Sequence, residues 1–246
     1  MNERQKILKL ITGFTLVELL VVIAIIAILA SITVPVVARS KIKAKTATAR
    51  IQMSELNAAI VSYKNDYERF PIPADYDENY WGDVTFNSDL GWVKDGNDQW
   101  IDKGKNHNKF FIDILINPQN SRNPKKHKYL TLKKTTGMKS DRRAGLSQDG
   151  YYLDPFGNEY FITVDRDRDG LCFDASYGKS NGLGYGLKSS QVSKSTKKMG
   201  AAYFGEIMIW TYGPDRKTTE DKRSEHYAPM DVNGTESSRD NIISWN

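Results

Sequence analysis

Cysteine is almost absent from this chain. Cys172 stands alone in 246 residues, so no intrachain disulfide can form. Histidine is scarce too: His107, His127 and His226 are scattered through polar stretches, and Cys172 has no obvious base near it in sequence. No grouping for nucleophilic or acid–base catalysis stands out, so a non-enzymatic role is expected. Charge is missing altogether from the twenty residues Leu19 to Ala38. A run of that length predicts a transmembrane helix, because crossing the hydrocarbon takes about 20 residues at ~1.5 Å each. A conventional signal peptide fits less well. Its apolar region runs for about 7–15 residues and ends in small residues. Here the best candidate, Ile28-Leu29-Ala30, puts a bulky Ile at the first small position.

Just ahead of the uncharged run stands Gly13-Phe14-Thr15-Leu16-Val17-Glu18. A carboxylate at Glu18 costs on the order of 2.5–3.5 kcal/mol on insertion scales, so it requires a partner or a purpose. The run G-F-T-L-V-E-L-L-V-V-I-A-I-I-A resembles the class III signal of type IV pilins and type II secretion pseudopilins. The resemblance implies a leader, residues 1–13, cut by a prepilin peptidase between Gly13 and Phe14. Phe14 would become the N-methylated N-terminus. Glu18 would pair with the N-terminal amine of a neighbouring subunit, and Pro35 would mark where the helix can loosen on assembly. Implied partners are further copies of the chain, other pseudopilins, the peptidase and the inner-membrane assembly platform. The chain would cross the inner membrane once, with its C-terminal domain in the periplasm. One signal disagrees. Arg39, Lys41, Lys43, Lys45 and Arg50 follow the apolar run, and counting basic residues would place that flank inside. Cleavage at Gly13 requires a cytoplasmic leader, so the motif takes precedence.

The expected fold class is α+β, a long N-terminal helix packed on a small antiparallel sheet, with an irregular region inserted. Residues 14–38 are the membrane part of the helix and 39–69 its amphipathic continuation. Ile42, Ala49, Leu56 and Tyr63, with Met53, Ile60 and Tyr67, form one apolar stripe along it. Pro35 removes one backbone hydrogen bond and crowds the carbonyl of Ser31, and Pro71 and Pro73 end the helix. Residues 70–149 read as a variable insertion. It is acidic and aromatic from Asp75 to Trp100, then basic, with Lys125, Lys126, Lys128, Lys133, Lys134, Lys139, Arg142 and Arg143. Such a stretch can bind an acidic polymer such as DNA without sequence specificity, but a solvated face is the plainer reading, and nucleic acid is not an expected partner. Phe110 to Ile116 is apolar but too short to assign to helix or strand.

Residues 150–246 read as a β-rich C-terminal region. Asp154-Pro155-Phe156-Gly157-Asn158 predicts a turn, Tyr160–Val164 and Phe204–Tyr212 predict strands, and 178–200 predicts a mobile loop. Three blocks, at 154–160, 210–215 and 240–245, resemble the C-terminal half of the major pseudopilin. The missing disulfide points the same way, since many adhesive pilins close their C-terminal region with one. Export through a pseudopilus is therefore the leading expectation, and a minor type IV pilin in adhesion or DNA uptake the alternative. Calcium is expected as a bound ion, in one of two places. Asp165-Arg-Asp167-Arg-Asp169-Gly170 spaces carboxylates as in the first half of an EF-hand loop. Ser176 stands where that loop has its closing Glu, and Asp174 is the candidate substitute. The pseudopilin resemblance implies the other place, the loop after Gly213-Pro214-Asp215, where Asp215, Asp231 and Asp240 are the candidate ligands.

Overall fold

The computed structural model describes residues 15–74, 76, 82–88, 92–94, 100–102, 106–177, 187–214 and 242–245. The chain divides into two compact units, Met1–Ala44 and Lys45–Asn246, which are taken separately. Helix α1, Leu16–Tyr67, runs through the division. In the first unit every described residue is exposed, as expected of a segment with no soluble core to enter. This part of α1 is long and apolar enough to cross a membrane. Its interior polar groups are satisfied locally: the Ser31 hydroxyl donates to the Ile28 carbonyl and the Thr33 hydroxyl to that of Leu29, each at 2.7 Å. Pro35 lies inside the helix.

In the second unit α1 changes character. Ala49, Met53, Leu56, Ala59, Ile60 and Tyr63 are buried along one face, at the three- and four-residue steps of a helix packed on one side. The expected stripe was longer. Ile42 at its start is 44% exposed, because that position precedes the folded domain.

That face covers a four-stranded antiparallel sheet in the order β1 (Val84–Phe86), β6 (Phe161–Val164), β10 (Ile207–Thr211), β11 (Ile242–Ile243). Strand residues alternate between faces. Ile162, Val164 and Ile209 join the helix-side core with Val84 and Phe86, while Phe161, Met208 and Trp210 build a second core on the opposite side. There the Phe161 and Trp210 rings, paired in register across β6 and β10, stack at 3.8 Å and 11°. The opposite core also takes residues from a three-stranded sheet, β7 (Leu171–Cys172), β9 (Met199–Phe204) and β8 (Lys188–Val192). The described fold is α+β, as expected.

Two expectations change. The region read as a loop over 178–200 contains β8 and the start of β9, a hairpin whose polar residues hid its strands. The irregular insertion, 70–149, contributes to the core in part. It supplies β1 to the central sheet, and helix α2 (Asn108–Ile116) buries Phe111, Ile112, Ile114 and Leu115. Its side chains are also pinned from the C-terminal region. Glu159, buried, accepts hydrogen bonds from the amides of Ser88 (3.0 Å) and Asn108 (3.1 Å) and pairs with Lys139. A carboxylate at the first residue of α2 complements free N–H groups and the helix dipole. The same region adds a two-stranded pair, β2 (Trp92–Lys94) with β3 (Trp100–Asp102), and β4 (Gly145–Leu146), which pairs with β5 (Tyr152–Leu153) of the C-terminal region.

The end of α1 is held by the segment that follows α2. Asp66 accepts hydrogen bonds from Lys125 (2.7 Å) and the Tyr129 hydroxyl (2.6 Å) and lies 3.2 Å from the His127 ring. These donors keep its carboxyl low, at about 2. The Tyr63 hydroxyl donates to the Arg122 carbonyl.

Candidate functional site

Two places carry chemistry that the core does not explain. The first is the start of α1. Thr15 precedes the helix, and its hydroxyl accepts a hydrogen bond from the Glu18 amide at 3.2 Å. In return a Glu18 carboxylate oxygen, Oε2, accepts from the Thr15 amide (2.8 Å) and hydroxyl (2.7 Å). This is a reciprocal capping box, satisfying two N–H groups that the first helical turn leaves free. It fixes the carboxylate at the helix N-terminus. The other oxygen, Oε1, accepts no hydrogen bond among the described residues. One half of an exposed carboxylate in an apolar helix is thus left for a donor from elsewhere. Gly13 and Phe14 lie outside the described residues. The capping role was legible as Thr-x-x-Glu and was missed, because the apolar run and the cleavage motif accounted for both residues already.

The second place is a group of carboxylates. Oxygens of Asp83, Asp165 and Asp167 all lie within 4.8 Å of one another. Asp165 and Asp167 come from the EF-hand-like turn. Asp83 arrives from the other strand: β1 and β6 pair Val84 with Val164, so the residues just beyond, Asp83 and Asp165, meet at the same end. Asp83 and Asp165 are buried. The amides of Phe173 (2.8 Å) and Arg166 (3.1 Å) donate to Asp83, and that of Gly170 (2.8 Å) to Asp165. Burial above all, with the neighbouring carboxylates, pushes Asp83 up to about 8, and burial likewise raises Asp165 to about 6. Such a group takes up protons near neutral pH or holds a hard cation through oxygen.

The other two expected ligands of this turn are placed apart from the group. Asp169 accepts hydrogen bonds from the amides of Leu171 (2.8 Å) and Lys194 (2.9 Å), tying the turn to the β8–β9 hairpin. Asp174 is fully buried and serves four donors: the amides of Ser176 and Tyr177, the Thr163 hydroxyl and the Trp210 indole N–H. It organises the second core. Asp215, Asp231 and Asp240 lie outside the described residues. Asp83 could have been found from the mirrored ends of the two strands, Asp83-Val-Thr and Thr-Val-Asp165, once their antiparallel pairing was suspected. Cys172 is buried and its thiol is pushed well up by burial, so it offers no reactive thiolate.

The turn 154–158 is likewise structural. Asp154, buried, accepts from the amides of Phe156 and Asn158 and from the Thr211 hydroxyl, each at 2.8 Å. The Asn158 side chain donates to the Gly213 carbonyl at 2.9 Å. The blocks at 154–160 and 210–213 therefore meet in one joint at the end of β10.

Residues 9–34 match the family described as the prokaryotic N-terminal methylation motif. No curated protein and no solved structure matches the chain.

Proposed function

We propose that the chain is a type IV pilin-like precursor and a structural subunit of a pseudopilus that supports protein export through a type II secretion system, a reading supported by the methylation motif at residues 9–34. Prepilin peptidase cuts after Gly13, and Phe14 is then methylated. The mature chain stays anchored in the inner membrane by α1, with the second unit in the periplasm, until the assembly platform adds it to a filament of its own copies and other pseudopilins. No catalytic step belongs to this reading.

The observation that carries the subunit role is Glu18. Its carboxylate is fixed at the helix start by Thr15 while Oε1 accepts no hydrogen bond among the described residues, in a segment whose described residues are all exposed. A neighbouring subunit's N-terminal amine supplies the missing donor and its positive charge, and neighbouring helices cover the apolar surface. A charged hydrogen bond of that kind is strong where water is scarce. Pulling assembled fibres or membrane-held monomers from cells carrying Glu18→Ala tests it: the monomer should accumulate and the fibre should be lost. Dependence of secretion on this chain separates the pseudopilus from the alternative, a minor type IV pilin. The exposed cations of the 125–143 segment are what favours that alternative.

Calcium belongs to the same proposal, at Asp83, Asp165 and Asp167. An ion there would join the β1–β6 end to the following turn, and without a disulfide it would add stability through mass action. Millimolar calcium should raise the melting temperature over that in excess chelator, and Asp83→Asn should abolish the increment.

A further inference from the structure

The apolar run ends abruptly in Arg39, Lys41 and Lys43. In the first unit these are the only cations among the described residues, and Glu18, at the far end, is the only acid. All three are exposed, and none has an ion-pair partner among the described residues. Lys45 continues the alternation but differs, since its ammonium lies 5.3 Å from the centre of the Phe156 ring in the second unit.

The spacing decides what they suit. Successive positions two apart on an α-helix are turned by about 200°, so Arg39 and Lys43 share one side, Lys41 lies on the other, and the cations flank the helix on both sides instead of lining one. A one-sided stripe suits a protein partner. Cations on both sides suit a layer that the helix passes through. Twenty uncharged residues at ~1.5 Å each span the hydrocarbon of a bilayer, so these cations begin where acyl chains give way to headgroups. Long Lys and Arg stems follow apolar surface while their heads stay in the polar layer.

We infer that Arg39, Lys41 and Lys43 form a cationic collar that binds anionic phospholipid headgroups in the leaflet on the domain side of the membrane. The inference rests on the subunit reading above, which puts that flank on the exported side. Basic residues there oppose the usual cytoplasmic bias. The collar gives them a role: it fixes the depth of the anchor, and the headgroup contacts must be broken when the subunit leaves the bilayer.

The test uses the full chain, extracted in mild detergent and incubated with equal amounts of phosphatidylglycerol and phosphatidylcholine. Native mass spectrometry counts the lipids retained. The wild-type chain should retain phosphatidylglycerol preferentially. In the R39Q/K41Q/K43Q variant the preference should fall by about fivefold per charge removed at low salt. Lys126→Gln, on an exposed loop, should change nothing. Equal retention of both lipids by a wild-type chain that begins at Phe14 would overturn the collar and leave the subunit reading standing. A photocrosslinker at position 41 that captures acidic side chains of a second copy in place of lipid would overturn it as well. A chain that still begins at Met1 removes the subunit reading, and the collar with it.

Discussion

Helix α1 is two different objects along its length. From Leu16 to Ala44 it buries nothing, and one oxygen of its one acid accepts no hydrogen bond among the described residues. From Ala49 to Tyr63 the same helix puts six side chains into a core that two helices and a sheet complete. On the proposed function, the first part is suited to partners, lipid first and other subunits afterwards. The second is satisfied within its own chain. A substitution in the first part should therefore spare folding and damage assembly, and one in the second should do the reverse.

Glu18→Ala gives the largest expected effect. Filament yield should fall at least about tenfold, the worth of ~1.4 kcal/mol in an equilibrium constant, while membrane insertion and domain melting stay as in the wild type. Immunoblots of sheared fibres against membranes, with thermal melts, read both sides. A mutant chain that also melts early would erase the division between the two parts. Trp210→Ala reverses the pattern. It removes the ring stacked on Phe161 and the donor to buried Asp174, and should cost about 3–5 kcal/mol in denaturant unfolding, with processing at Gly13 intact. Glu159→Ala should cost less, about 2–3 kcal/mol, because water reaches Lys139 once its partner is gone.

Asp83 and Asp165 sharpen the comparison through pH. Their folded-state pKa values, about 8 and about 6, lie above the ordinary carboxylate range. The folded form thus keeps protons that the unfolded chain gives up. In chelator the stability they support is complete below about pH 4 and is lost as pH rises toward 8. Calcium, replacing the protons, should flatten that slope in melts from pH 5 to 8, and no slope in chelator would count against the buried group. Asp66 titrates the other way and gives the smallest effect. Held at about 2 by its donors, it supports the end of α1 above about pH 4, and that support is lost as pH falls through 2. Asp66→Asn should remove that acid-side component alone.

The parts of the molecule differed in legibility for physical reasons. The membrane segment is a local property of composition, and the uncharged run was enough to find it. The strand expected over 204–212 is β10, Ile207–Thr211, with Phe204 ending β9 ahead of it, and β10 alternates cleanly because its two sides enter two separate cores. The insertion was illegible because its partners are remote. Phe111 and Leu115 join a core with Met53 and Ile209, and Asn108 is tied to Glu159, none of which shares a local pattern with α2. The 188–204 hairpin hid for a different cause: Lys188, Gln191 and Lys198 made its strands look like solvent-facing loop. For the carboxylate group, the turn carried Asp165 and Asp167, and only strand register could add Asp83 or set Asp174 apart.

The central claim is that the free N-terminal segment is a processed prepilin-type anchor, and the mass of the mature protein tests it most directly. Protein isolated from membranes, digested and read by mass spectrometry, should yield an N-terminal peptide that begins at Phe14 and carries one methyl group. A membrane-bound protein whose first peptide begins at Met1 would contradict the account.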